Sequence, residues 1–167
     1  MRSLIAVLVD NGWVFRSPSA PSIDDAIRLP KNMPAEVAAF CCSFDLLVTA
    51  DETAWFFSHL DYAARSGSAF AWNEFEANDL EAAMTSAQRA AVTKFWERHF
   101  PLAMCVRGDH QYLAIGVEGA NAGKIVLGDS SAEEEAVLLA DDIGSLSWLF
   151  ADFYSGNRAS PVSRFLI

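Results

Sequence analysis

Apolar and polar residues change their period along the chain, and the changes mark the elements. Leu4 to Val9 is an apolar run closed by Asp10, with Gly12 soon after. Leu4, Ile5 and Leu8 share one helical face, although a strand fits so short a run equally well. Ser17, Pro18, Ser19, Pro21 and Ser22 make residues 16–25 a loop. It is not an inter-domain linker, because too little chain precedes it to form a domain. Pro34 suits a first helical turn, where its missing N–H would be unpaired anyway. Val37, Phe40 and Cys41 follow at i, i+3 and i+4 and predict a helix of at most about three turns. Thr53 to Ser58, carrying Trp55, Phe56 and Phe57, predicts a buried strand.

Residues 85–99 carry the clearest helical pattern. Thr85 and Gln88 have the spacing of a capping box, in which each side chain bonds the other's backbone N–H. Val92, Phe95, Trp96 and His99 form the i, i+3, i+4, i+7 stripe, and Pro101 prevents continuation. The period then becomes two. Leu102, Met104 and Val106 alternate with Ala103, Cys105 and Arg107. Arg107–His110 reads as a turn, Tyr112–Val117 as a strand, Glu118–Gly123 as a second turn and Lys124–Leu127 as a third strand. Successive tight reversals mean an antiparallel meander. Ala136–Ala140 predicts an edge strand. Asp141 or Asp142 caps a last helix bearing Ile143, Leu146, Leu149, Phe150 and Phe153, and Gly156 stops it. The order predicts a single α+β domain, an antiparallel meander sheet packed by helices.

Composition narrows the classes. A length of 167 residues fits one domain. With 52% hydrophobic residues the chain does not belong among disordered sequences, and with 20% charged residues a coiled coil is disfavoured. The net charge of −10 makes nucleic acid and an acidic membrane surface poor partners and a basic protein a good one. Three cysteines, two of them adjacent at 41 and 42, form no disulfide framework and fit a reducing compartment. The N-terminal apolar run is too short for a signal peptide, and no stretch approaches a membrane span. These features lead us to expect a soluble, cytoplasmic protein.

Several stretches, taken in order, carry a resemblance. Leu29-Pro30 precedes the short helix Pro34-Ala-Glu-Val-Ala-Ala-Phe40. Trp55-Phe56-Phe57-Ser58 leads to Asp61-Tyr62. Phe95-Trp96 leads to His99-Phe100-Pro101-Leu102. Gln111-Tyr112-Leu113-Ala114-Ile115 and Gly123-Lys124-Ile125-Val126-Leu127 follow, and an acidic segment runs into Ile143–Phe153. This order resembles the SUKH superfamily, which includes Smi/Knr-type regulators and many bacterial immunity proteins. The resemblance spans residues 29–155. It leaves 1–28 as an N-terminal segment packing on the domain and 156–167 as a C-terminal tail. Where the family usually has Asn-Gly after the short helix, this chain has Cys42-Ser43-Phe44-Asp45. The resemblance implies a SUKH-like fold and a binding module rather than an enzyme. Members commonly bind and neutralise a cognate toxin, often a nuclease, while others act as regulators or scaffolds.

The charge is uneven. Residues 30–85 hold nine acidic and two basic side chains, and residues 108–152 nine and one. Residues 86–107 are net basic. If the acidic stretches share a face, they would mimic a polyanion and speed encounter with a basic toxin. The candidate partner-binding residues are Asp51, Glu52, Glu74, Glu76, Asp79, Glu133, Glu134 and Glu135, each of which also fits an ordinary solvated surface. Trp55, Trp96 and Trp148 read as core residues. Trp72, beside Asn73 and Glu74, is either an exposed anchor or a core residue. Trp13 has no assigned place.

Catalytic and cofactor signals are thin. The chain lacks a Gly-x-Ser-x-Gly elbow, a phosphate-binding Gly-x-x-x-x-Gly-Lys and a Gly-x-Gly-x-x-Gly turn. Cys105 with His99 or His110 is a weak nucleophile–base pair, since a strand cysteine behaves as a small hydrophobe. His59, Asp61, Asp109 and His110 are too sparse for a metal site, and adjacent Cys41 and Cys42 lack zinc spacing. No catalytic residue, metal or cofactor is therefore assigned. The reading is a toxin-neutralising protein-binding module. Its alternatives are a regulatory or scaffold protein, and a small-ligand binder or enzyme with an unrecognised site. Oligomeric state stays open.

Overall fold

Seven strands pair only with their neighbours in sequence in the computed structural model, which describes residues 2–19, 29–63, 72–108, 110–129 and 136–167. The strands are β1 (Val14–Arg16), β2 (Leu46–Val48), β3 (Ala54–Phe56), β4 (His99–Cys105), β5 (Gln111–Gly116), β6 (Ile125–Asp129) and β7 (Val137–Ala140). Every pairing is antiparallel. The described helices are α1 (Leu4–Asp10), α2 (Ala35–Cys41), α3 (His59–Tyr62), α4 (Glu74–Ala82), α5 (Ser86–Trp96), α6 (Ile143–Tyr154) and α7 (Ser163–Leu166). This is one α+β domain, as the sequence pattern predicts.

Helices cover both faces of the sheet. On one face Phe56 meets Trp13, Phe40 and Phe150 at ring centroid distances of 5.6, 5.5 and 6.0 Å, which brings α1, α2 and α6 together. On the other, Tyr112 meets Phe75 of α4 and Trp96 of α5, each at 5.1 Å. Two-sided cover explains why β4 is buried at nearly every position. Its period of two separates small from large side chains rather than outside from inside. Ala103 and Cys105 lie on the α6 side with Phe56. Met104 lies on the α5 side, between its cross-strand partners Trp55 and Tyr112. Each fully buried large side chain of this kind contributes roughly 1.5–3 kcal/mol.

Local chemistry sets the helix ends. Thr85 and Gln88 form the capping box of α5. Of the two aspartates that fit the start of α6, Asp142 is the cap, its carboxylate accepting from Ser145 N at 2.6 Å. At the other end Gly156 has φ +112°, a conformation a side chain would resist. The N-terminal apolar run is helical, capped by Ser3.

Four sequence expectations shift. His99 does not extend the α5 stripe, because the helix ends at Trp96 and His99 is the first residue of β4. It still caps that helix: its Nδ1–H donates to Phe95 O at 2.9 Å and its ring stacks on Phe95. Pro101 lies inside β4, where the register shifts between Pro101 and Ala103. Proline is tolerated at such an irregularity because the ladder bond is already interrupted. Its carbonyl accepts from the buried Tyr62 hydroxyl. Trp148 is not in the core. It lies on the outer side of α6 and is 64% exposed, because the inward stripe is taken by Ile143, Leu146, Ser147, Phe150 and Phe153. Trp55 is only partly buried. No helix among the described residues is long and apolar enough to cross a membrane.

Candidate functional site

The acidic candidates divide between different parts of the molecule. Asp51 and Glu52 occupy the turn between β2 and β3, where Glu52 adopts φ +58° and its N–H donates to Thr49 O at 2.9 Å. Asp51 is committed to local bonds. Thr53 Oγ1 donates to it at 2.8 Å, and Arg107 pairs with it. The Thr53 and Thr49 hydroxyls and the Arg107 guanidinium hold its carboxyl well below the usual range. Glu74, Glu76 and Asp79 lie on α4, across the sheet from α6. Asp79 Oδ2 accepts from the Trp96 indole at 2.9 Å, which pins α4 to α5. The structure therefore does not gather Asp51 with the α4 carboxylates. Glu133, Glu134 and Glu135 lie outside the described residues.

Trp72, like Trp55, packs against the core without being fully buried. Its ring lies 5.7 Å from Tyr62 and 6.1 Å from Phe100. Trp13 is 4% exposed, and its indole donates to the Tyr154 hydroxyl at 2.7 Å.

The described residues include no group of three His, Cys, Asp or Glu side chains placed to hold a metal ion. Cys105 and His99 stand at opposite ends of β4, about 20 Å apart at the usual strand rise. Burial raises the Cys105 thiol pKa, which favours the protonated form over a reactive thiolate.

A constellation that sequence spacing did not reveal lies on the α6 side, at the sheet end formed by the β2–β3 turn. It is an open cleft of about 570 Å³. Asn11 to Trp13, after α1, form one wall. Thr49 to Asp51 and Arg107 form the floor. Tyr154 and Arg158 line it from the end of α6, and Leu166 lines it from α7. Arg107 is held in place by two bonds: Nη1 donates to Leu166 O at 2.6 Å, and Nη2 donates to Asp51. Arg158 lies over the Phe153 ring with its guanidinium carbon 4.7 Å from the centroid. Burial raises the Tyr154 pKa, opposed by the Trp13 bond and by the charges of Arg107 and Arg158. The phenol therefore stays protonated near neutral pH. Because its oxygen accepts from Trp13, its own proton is free to be donated elsewhere. The available hint in the sequence was the isolated Arg107 and Arg158, but nothing in their spacing joined them to Trp13 or Tyr154.

Comparison of the chain with protein-family models, with curated proteins and with solved structures finds no match.

Proposed function

We propose that the chain is a protein-binding module of the immunity type, which neutralises a cognate toxin by covering its active site or an adjacent surface. The observation that carries this reading is α4. Its nine residues hold Glu74, Glu76, Asp79 and Glu81 and no cation, and Phe75 is its buried anchor. The bond from Trp96 to Asp79 fixes the helix, while Glu81 is exposed and Glu74 and Glu76 are partly so. A fixed array of carboxylates on a chain of net charge −10 attracts a basic protein and repels phosphate backbones. The toxin-directed role itself rests on the SUKH resemblance. On this reading the chain acts in the cytoplasm by occlusion, performs no chemistry and needs no cofactor.

The test is capture of partners by the tagged full chain in its native cell, across a salt series, beside the variant Glu76→Lys/Glu81→Lys. One basic polypeptide should be retained stoichiometrically, released by salt and lost from the variant. The chain should also inhibit that polypeptide's toxic activity. A partner without such activity would replace the immunity role with a regulatory or scaffold one. Equal retention by the variant would remove α4 from the interface.

A further inference from the structure

We propose that the cleft between the α1–β1 turn and the end of α6 binds a small molecule bearing one oxyanion on an apolar or aromatic body. This goes beyond the protein-binding reading and concerns the opposite face of the sheet from α4.

Charge is the first ground. Arg107 and Arg158 bring two positive charges to the cleft, while Asp51 pairs with Arg107 and the Ile167 carboxylate lines the same recess, so the charge that bears on a ligand is that of Arg158. Asp51 neutralises Arg107 and holds it still. Arg158 is positioned over Phe153, with no carboxylate partner among the described residues. A guanidinium placed in this way is available for a carboxylate or phosphate, and its fork of donors matches such groups.

Donor geometry is the second ground. Tyr154 accepts from Trp13 at 2.7 Å, which fixes its oxygen and leaves its O–H to donate. Tyr154, Arg107 and Arg158 all line this one cleft. Trp13 and Leu166 supply apolar wall beside them. Small-molecule sites combine these features: mainly apolar lining, with a few convergent polar groups that orient the ligand. One guanidinium without a carboxylate partner matches one oxyanion group, so the class is a single carboxylate or phosphate monoester rather than a polyphosphate.

The full-length chain should be titrated with benzoate, phenyl phosphate and the neutral isostere benzamide, following tryptophan fluorescence and binding heat, up to about 10 mM. At least one of the two anions should bind saturably and benzamide should not. Tighter binding of benzoate would identify a carboxylate ligand, and tighter binding of phenyl phosphate a phosphate monoester. Arg158→Gln should weaken anion binding about tenfold or more, the loss expected for one charge-assisted hydrogen bond. Arg158 is exposed, so the variant should keep its urea midpoint. Tyr154→Phe should weaken binding while keeping the aromatic wall. Three results would each overturn the proposal: no saturable binding of either anion, equal binding of benzoate and benzamide, or unchanged anion affinity in Arg158→Gln. Each is distinct from failure of the α4 reading, which the capture experiment tests with substitutions elsewhere.

Discussion

Gly128 of β6 stands opposite Tyr112 of β5, and the Tyr112 ring lies across the glycine. A Cβ added at Gly128 would sit 2.4 Å from both Cζ and the hydroxyl oxygen of Tyr112. Ordinary contact needs about 1 Å more. The ring has little room to retreat, since it is 4% exposed and bounded by Phe75 and Trp96, each with centroids 5.1 Å away. Gly128→Ala should therefore overpack this side of the sheet and cost about 2 kcal/mol, within the usual range of roughly 1–3 for core overpacking. At this chain length that corresponds to a fall in Tm of about 4–8 °C. The second arm of the experiment is Tyr112→Leu, which removes the hydroxyl and the ring end that cause the clash. In that background the same Gly128→Ala change should be neutral or should stabilise by up to about 1 kcal/mol, because alanine loses less backbone entropy than glycine in a strand. Urea unfolding followed by circular dichroism on all four proteins gives the double-mutant cycle. An equal cost of Gly128→Ala in both backgrounds would refute the reasoning, because the penalty would then owe nothing to Tyr112.

Two further outcomes follow from single side chains. Burial, aided by the Arg98 charge and opposed by the Phe95 bond, lowers the His99 pKa below its ordinary 6.5. The unfolded chain thus binds the proton more readily, so this contribution to stability is present above about pH 6.5 and is lost as the pH falls below it. The urea midpoint should drop between about pH 7.5 and 5.5, and His99→Gln should flatten that drop; an unchanged slope in the variant would refute the assignment. Trp148→Ala should alter stability by no more than about 0.5 kcal/mol, as exposed positions usually do. It should also remove much of the acrylamide-quenchable fluorescence, since Trp13 and Trp96 are buried. A loss of several kcal/mol would return Trp148 to the core.

Some local signals are legible in the sequence because one short segment contains the whole interaction. Thr85 and Gln88 complete the α5 cap between themselves, and Asp142 needs only Ser145 N. The β4–β5–β6 meander was likewise readable, because its turns and alternating strands are consecutive. By contrast, β1 and β2 have three residues each, too few to establish a period, and they exist as strands through pairing with each other and with β3. α4 is not legible in the sequence because its apolar stripe is short, with Phe75 its buried residue.

Sequence by itself therefore determined the α+β class, the α5 cap, the meander and the acidic character of the chain. These depend on neighbours within a few residues or on composition, and folding does not alter them. Tertiary structure alone decided which carboxylates are already engaged, that Trp148 faces solvent while Trp72 packs inward, and that His99 belongs to a strand. It also assembled the cleft, whose Trp13, Asp51, Arg107, Tyr154 and Arg158 come from distant parts of the chain. The physical reason is that burial and electrostatic environment are set by what packs across the sheet. Residues separated by 141 positions, as Trp13 and Tyr154 are, share a hydrogen bond only because the sheet and its helices bring them together.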